Sequence, residues 1–137
     1  MRILIVESSY HAAVADLLTD GATAALEKGM AEFVRVAVPG VLELPGAIAL
    51  AARGHNFDAY VALGCVLGED RVADALYRET LHGLMQLSVQ GIAIGTGVVL
   101  AGEERAALAQ AREGDAGGDA ARAALALATL RERLAVL

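Results

Sequence analysis

Two uninterrupted apolar runs, Ile3-Leu4-Ile5-Val6 and Tyr60-Val61-Ala62-Leu63, constrain what this chain can fold into more than any other feature. A strand with one face in water alternates apolar and polar residues. A strand that is apolar throughout needs both faces covered, as in a parallel sheet with helices on either side. The runs sit in β-rich segments from Arg2 to Glu7 and from Tyr60 to Leu67; Phe33 to Val38 and Ile92 to Leu100 supply two more.

Helical patterns separate the four segments. Val14, Leu17, Leu18, Ala22, Ala25 and Leu26 follow the 3.6-residue period, with Gly29 as the expected stop. A second helix is expected from Leu44-Pro45 to about Gly54, with proline in the first turn. Leu76, Tyr77, Leu81, Leu84 and Leu87 form a third apolar face, and Ala123, Leu127, Leu130, Leu134 and Leu137 a last one. The glycines of Gly114-Asp115-Ala116-Gly117-Gly118-Asp119 permit a kink or tight turn that splits the C-terminal helical region, and Asp119 suits the N-cap of the final helix. Alternating strands and helices over 137 residues imply one α/β domain spanning 1–137, a three-layer α/β/α sandwich with a four-stranded parallel sheet and right-handed crossovers.

Composition narrows the function. No apolar stretch is long enough for a membrane span, and the N-terminus is too short and too soon charged for a secretory signal, so a cytoplasmic location is expected. With net charge −6 and no basic block, a nucleic-acid partner is not expected. Cys65 is the single cysteine, which excludes an internal disulfide and a multi-thiolate metal site and leaves a buried small hydrophobe as its expected role. The Ala-rich helices bury little area per residue, a pattern that favours stabilisation by partner subunits.

In a parallel α/β sheet, ligands bind beyond the carboxyl ends of the strands. That rule selects Ser8-Ser9-Tyr10-His11, Pro39-Gly40-Val41-Leu42-Glu43, Gly68-Glu69-Asp70-Arg71 and Ala101-Gly102-Glu103. Gly68-Glu69-Asp70 opens the third helix, either as an anion site on free N–H groups or as an ordinary cap. His11 is the one imidazole in these loops, a candidate proton carrier or a solvated helix-start residue. His55 and His82 read as surface residues.

Four stretches in order, Ile5 to His11, Val38-Pro39-Gly40-Val41-Leu42-Glu43-Leu44-Pro45, Phe57 to Glu69 and Glu113 to Gly118, resemble the 6,7-dimethyl-8-ribityllumazine synthase family. The resemblance implies a flavodoxin-like strand order and a cofactor-free condensation of 5-amino-6-ribitylaminouracil with 3,4-dihydroxy-2-butanone 4-phosphate. It also implies homo-oligomers, pentamers with sites between neighbouring subunits. By resemblance Glu43 and the backbone at Val41 and Leu42 hold the ribityl-pyrimidine, and Tyr10 stacks on its ring.

The departures from the family pattern are as specific as the matches. Val72 stands at the family's catalytic histidine, and Asp70 at a threonine that helps hold phosphate, beside Gly68 and Glu69. Leu42 and Thr96, the latter placed in the fourth-strand loop, replace aromatics, Ala116 replaces a basic residue, and an arginine before Gly68 is deleted. For the phosphate-binding arginine, Arg112 is one candidate; an alternative alignment places Gln110 there, and Arg71 is another source of positive charge. Two functions follow: a lumazine synthase of reduced activity, or a catalytically inactive homologue that serves as an oligomeric scaffold or binds a flavin-like or pyrimidine ligand.

Overall fold

The computed structural model describes residues 1–137. Four parallel strands, β1 (Arg2–Ser8), β2 (Glu32–Val38), β3 (Ala59–Leu67) and β4 (Ile94–Ala101), form one sheet in the order β2-β1-β3-β4. Parallel pairing runs from Arg2 opposite Glu32 to Ser8 opposite Val38, and from Tyr60 opposite Ile94 to Leu67 opposite Ala101. Five helices flank it: α1 (Ala12–Lys28), α2 (Leu44–Ala52), α3 (Arg71–Ser88), α4 (Glu104–Arg112) and α5 (Ala116–Ala135). This is the expected three-layer α/β/α arrangement with flavodoxin-like strand order.

Side-chain alternation in the two apolar runs sorts the core. Ile3 and Ile5 of β1, with Val61 and Leu63 of β3, meet α1, α4 and α5 on one face. Leu4, Val6, Tyr60 and Ala62 meet α2 and α3 on the other. Fully burying residues of this size is worth about 1.5–3 kcal/mol each, and β1 and β3 supply them to both layers.

The last helix corrects the expected apolar face. Leu127, Leu130, Leu134 and Leu137 are exposed, whereas Ala120, Ala121, Ala124 and Ala128 are buried. The reason is close approach: a Cβ at Gly95 would overlap the Ala120 carbonyl, and one at Gly117 would overlap the Leu18 carbonyl. α5 therefore lies against β4 and α1 on a stripe of small residues, where leucine has no room.

The same contact explains two further corrections. The expected split of the helical region occurs, between Arg112 and Ala116, but Gly117 and Gly118 take no part in it; they lie within the first turn of α5. Asp115, not Asp119, is the N-cap: it adopts the left-handed conformation (φ 48°), and its side chain accepts the Gly118 N–H at 3.3 Å. The Arg122 guanidinium donates to both Asp115, at 2.9 Å, and Asp119, at 2.7 Å. At the end of α1, Gly29 has a φ of −80° and the left-handed residue is Met30; glycine at 29 instead makes room for Leu125 of α5.

One face of the sheet is incompletely covered. Val34 and Val36 of edge strand β2 remain 38% and 40% exposed, because α2 packs over β1 and β3 and not over β2. Thr96, near the start of β4 at the opposite edge, is exposed as well. No helix is long and apolar enough to cross a membrane.

Candidate active site

The strand order reverses between β1 and β3, and a cavity of about 480 Å³ opens beyond their carboxyl ends. Its walls come from three connections. Ser8, Tyr10 and His11 lead from β1 into α1; Gly40, Val41, Leu42 and Glu43 lead from β2 into α2. Cys65, Val66 and Leu67 close β3, and Leu76 of α3 completes the wall.

The second connection is shaped by Gly40 and a single 3₁₀ turn, Val41–Glu43, in which the Glu43 N–H donates to the Gly40 carbonyl at 3.2 Å. The turn buries Val41 against the core and leaves Leu42 and Glu43 exposed at the rim. Glu43 enters no ion pair, so its carboxylate is free for a ligand. Opposite the turn, Tyr10 is 78% exposed and meets His11 edge-on, with centroids 4.9 Å apart. An edge-on partner leaves the tyrosine ring faces free to stack.

Cys65 stays a thiol. Burial, and next the nearby Glu104 carboxylate, push it up to about 11, so no thiolate nucleophile forms near neutral pH. This agrees with its expected role as a small buried hydrophobe.

Gly68, Glu69 and Asp70 line a separate hollow of about 350 Å³ with Asp74, Leu100, Ala101 and Gly102. Gly68 requires its positive φ of 138° to turn the chain from β3 into α3. Asp70 is the N-cap of α3, and its carboxylate accepts the Ala73 N–H at 2.9 Å. Of the two readings of Gly68-Glu69-Asp70, the helix cap is therefore the one formed. Three carboxylates in one hollow, two of them beside the helix start, oppose an incoming anion.

Val72 is 68% exposed on the first turn of α3, four residues before Leu76 and so on the same helical stripe. It does not line the cavity. Arg71 is exposed beside it.

Three expected contributors lie elsewhere. Thr96 is not in a loop but is the third residue of β4, away from the carboxyl end where the pocket opens. Arg112, at the end of α4, lines neither hollow, and the Gln110 amide is occupied in donating to the Leu100 carbonyl at 3.2 Å. Conversely, Val66, Leu67 and Leu76 line the pocket although nothing in their sequence pattern separates them from ordinary core positions, whereas Ser8 belongs to a loop that the strand ends select.

Comparison with known proteins agrees with this architecture. Residues 1–132 match the family model for 6,7-dimethyl-8-ribityllumazine synthase. A 6,7-dimethyl-8-ribityllumazine synthase of Novosphingobium aromaticivorans is 44% identical over 135 residues, covering 96% of this chain and 97% of that protein. One from Sphingopyxis alaskensis is 43% identical over 98% of both chains. One from Methylobacterium radiotolerans is 45% identical over 95% of this chain and 82% of its own. With near-complete coverage at this identity, the chain belongs to the 6,7-dimethyl-8-ribityllumazine synthase family.

Proposed function

We propose that this protein is a lumazine synthase of reduced activity, binding the ribityl-pyrimidine in the cavity between the β1 and β3 ends and condensing it slowly with the butanone phosphate. The observation that carries the reading is the pairing of free Glu43 and stackable Tyr10 across one pocket, with exposed Val72 at the position the resemblance gives to the catalytic histidine. The first two suit a polar, planar heterocycle. The valine cannot move a proton.

General acid–base groups contribute about 10²–10⁴-fold in rate, whereas holding two reactants in geometry contributes up to about 7–11 kcal/mol. A condensation between two reactive partners therefore persists without the histidine, provided both partners bind. His11, which lines the pocket, is the one imidazole placed to take over proton transfer.

The rim supports a shared site. Tyr10 and Leu42 expose apolar groups around one open pocket, Val72 is exposed on the first turn of α3, and Val34, Val36 and Thr96 lie bare on the sheet edges. Apolar surface of this kind is covered in homo-oligomers. In this reading the subunits form a pentamer, and Thr96 and Arg112 reach a neighbour's pocket rather than their own.

A second reading is favoured by the hollow with Glu69, Asp70 and Asp74: a homologue that no longer captures phosphate and keeps a pyrimidine- or flavin-like ligand on an oligomeric scaffold. One assay separates the two. Purified protein is mixed with both substrates and product absorbance is followed against the uncatalysed background. An excess rate supports the synthase. No excess rate, with no binding of the phosphate substrate, leaves the binding protein.

A further inference from the structure

At the opposite end of the sheet lies a second, larger cavity, about 580 Å³, that shares no residue with the candidate active site. It forms where Tyr60 lies at the start of β3 and Ile92 precedes β4, between the ends of α2 and α3 and Arg131 of α5. Its size falls within the range of small-molecule sites.

Its charge runs against that of the molecule. The chain carries −6 overall, yet the cavity is lined by Arg53, His55 and Arg131 and by no aspartate or glutamate. The adjoining carboxylate, Asp58, is taken up by the Arg2 backbone N–H at 2.7 Å and does not line the space. Arg53 is exposed and enters no ion pair.

Arg131 is held in place. It donates to the Asp58 carbonyl at 3.1 Å and to the Gly91 carbonyl at 3.2 Å, tying α5 to the segments before β3 and β4. A guanidinium has five N–H donors, so three remain. Fixed by the protein before any ligand arrives, they cost little to order.

Tyr60 supplies an independent sign. Its side chain is only 4% exposed, no hydrogen bond within the chain engages its hydroxyl, and no side-chain oxygen is buried without a partner, so the hydroxyl opens into the cavity. Burial raises the phenol above its ordinary range, with Arg131 partly opposing, which keeps it a donor. Apart from Gln90 and Gly91, the remaining wall is apolar. Phe57 meets Tyr60 edge-on at 6.0 Å, and the Arg2 guanidinium lies over the Phe57 ring, 4.8 Å from its centroid.

We propose that this cavity binds a small aromatic anion, a planar ring carrying a phosphate or carboxylate, with the charged group on Arg53, Arg131 and the Tyr60 hydroxyl and the ring against Phe57 and Ile92. The cationic groups and free donor accept the head, and the apolar wall accepts the ring. Neither half of the site serves the candidate active site.

The test is a calorimetric titration of the full-length protein with phenyl phosphate and, separately, with inorganic phosphate. Phenyl phosphate saturates one site per chain and binds about tenfold or more tightly than inorganic phosphate, since a ring buries more than one apolar group. Arg53→Gln weakens phenyl phosphate about tenfold or more, and Tyr60→Phe about threefold or more, as expected for bonds to a charged group. Arg53 is exposed and unpaired, so its variant melts as the parent does. Tyr10→Ala leaves the binding unchanged. No saturation at millimolar phenyl phosphate, equal affinity for inorganic phosphate, insensitivity to Arg53→Gln, or loss on Tyr10→Ala each overturns the proposal.

Discussion

The Asp70 carboxylate accepts the Ala73 N–H at 2.9 Å, so the residue where the family's phosphate-holding threonine is expected is committed to capping α3. Threonine is also a good N-cap, only slightly weaker than aspartate, whereas alanine at an N-cap costs about 0.5–2 kcal/mol. Asp70→Thr should therefore leave stability within about 1 kcal/mol of the parent while removing one negative charge from the hollow. The KM for the phosphate substrate should fall, and a phosphate-free ketone analogue should not respond. Equal responses to both ketones would rule out charge as the obstacle.

Val72→His introduces an imidazole at a position that is 68% exposed, where substitutions are usually worth less than about 0.5 kcal/mol in stability. If proton transfer is the missing element, kcat should rise about 10²-fold or more with little change in melting temperature. An unchanged rate in a variant shown to bind both substrates would locate the deficit elsewhere.

The bare valines of β2 predict assembly. Light scattering should return a mass near five times the 14.1 kDa chain, and Val36→Arg should lower it, because a charge is costly at a covered apolar contact. A monomer mass for the parent at micromolar concentration would refute the shared-site reading.

Both halves of the core are legible in the sequence because Ile3 to Val6 and Tyr60 to Leu63 can be satisfied only between two helical layers, whereas the strand order follows from the family resemblance and not from these runs. The pocket-forming loops are legible for the same reason, since Tyr10, His11 and Glu43 follow strands whose carboxyl ends that pattern places. What sequence pattern does not reveal is helix separation. In α5 it favours the larger side chains, Leu127, Leu130 and Leu134, yet the inter-helix distance admits only alanine and glycine. Asp119 likewise reads as a better cap than Asp115 because two intervening glycines look like a break until Leu18 is seen against Gly117 and the Asp115 carboxylate against Gly118. Thr96 falls in a loop when its role is inferred from resemblance, whereas the β3 pairing, with Ala62 opposite Thr96, places it inside the strand.

Two glycine substitutions separate propensity from packing. Gly46 lies in α2, and a Cβ added there would meet nothing within 4 Å, so Gly46→Ala should stabilise by about 0.4–1 kcal/mol. Gly117 has the same helical gain available, but its Cβ would overlap the Leu18 backbone, which cannot rotate away. Overpacking costs about 1–3 kcal/mol, which exceeds that gain, so Gly117→Ala should destabilise. A urea midpoint that rises for Gly117→Ala as well as for Gly46→Ala would show that α1 and α5 are too far apart for that overlap.

Cys65 supplies a pH-dependent term whose sign is fixed by burial. Its thiol is pushed up to about 11 in the folded chain, whereas an unfolded cysteine titrates near about 8.5. Between those values the unfolded chain holds fewer protons than the folded one, so stability falls as pH rises. Below that window the group contributes nothing to the slope. Urea midpoints measured at pH 8 and above pH 10 should therefore drop more for the parent than for Cys65→Ala, and iodoacetamide should alkylate the folded thiol far more slowly than the unfolded one. Equal slopes, with rapid alkylation of folded protein at pH 8, would mean that the thiol ionises as an open one does.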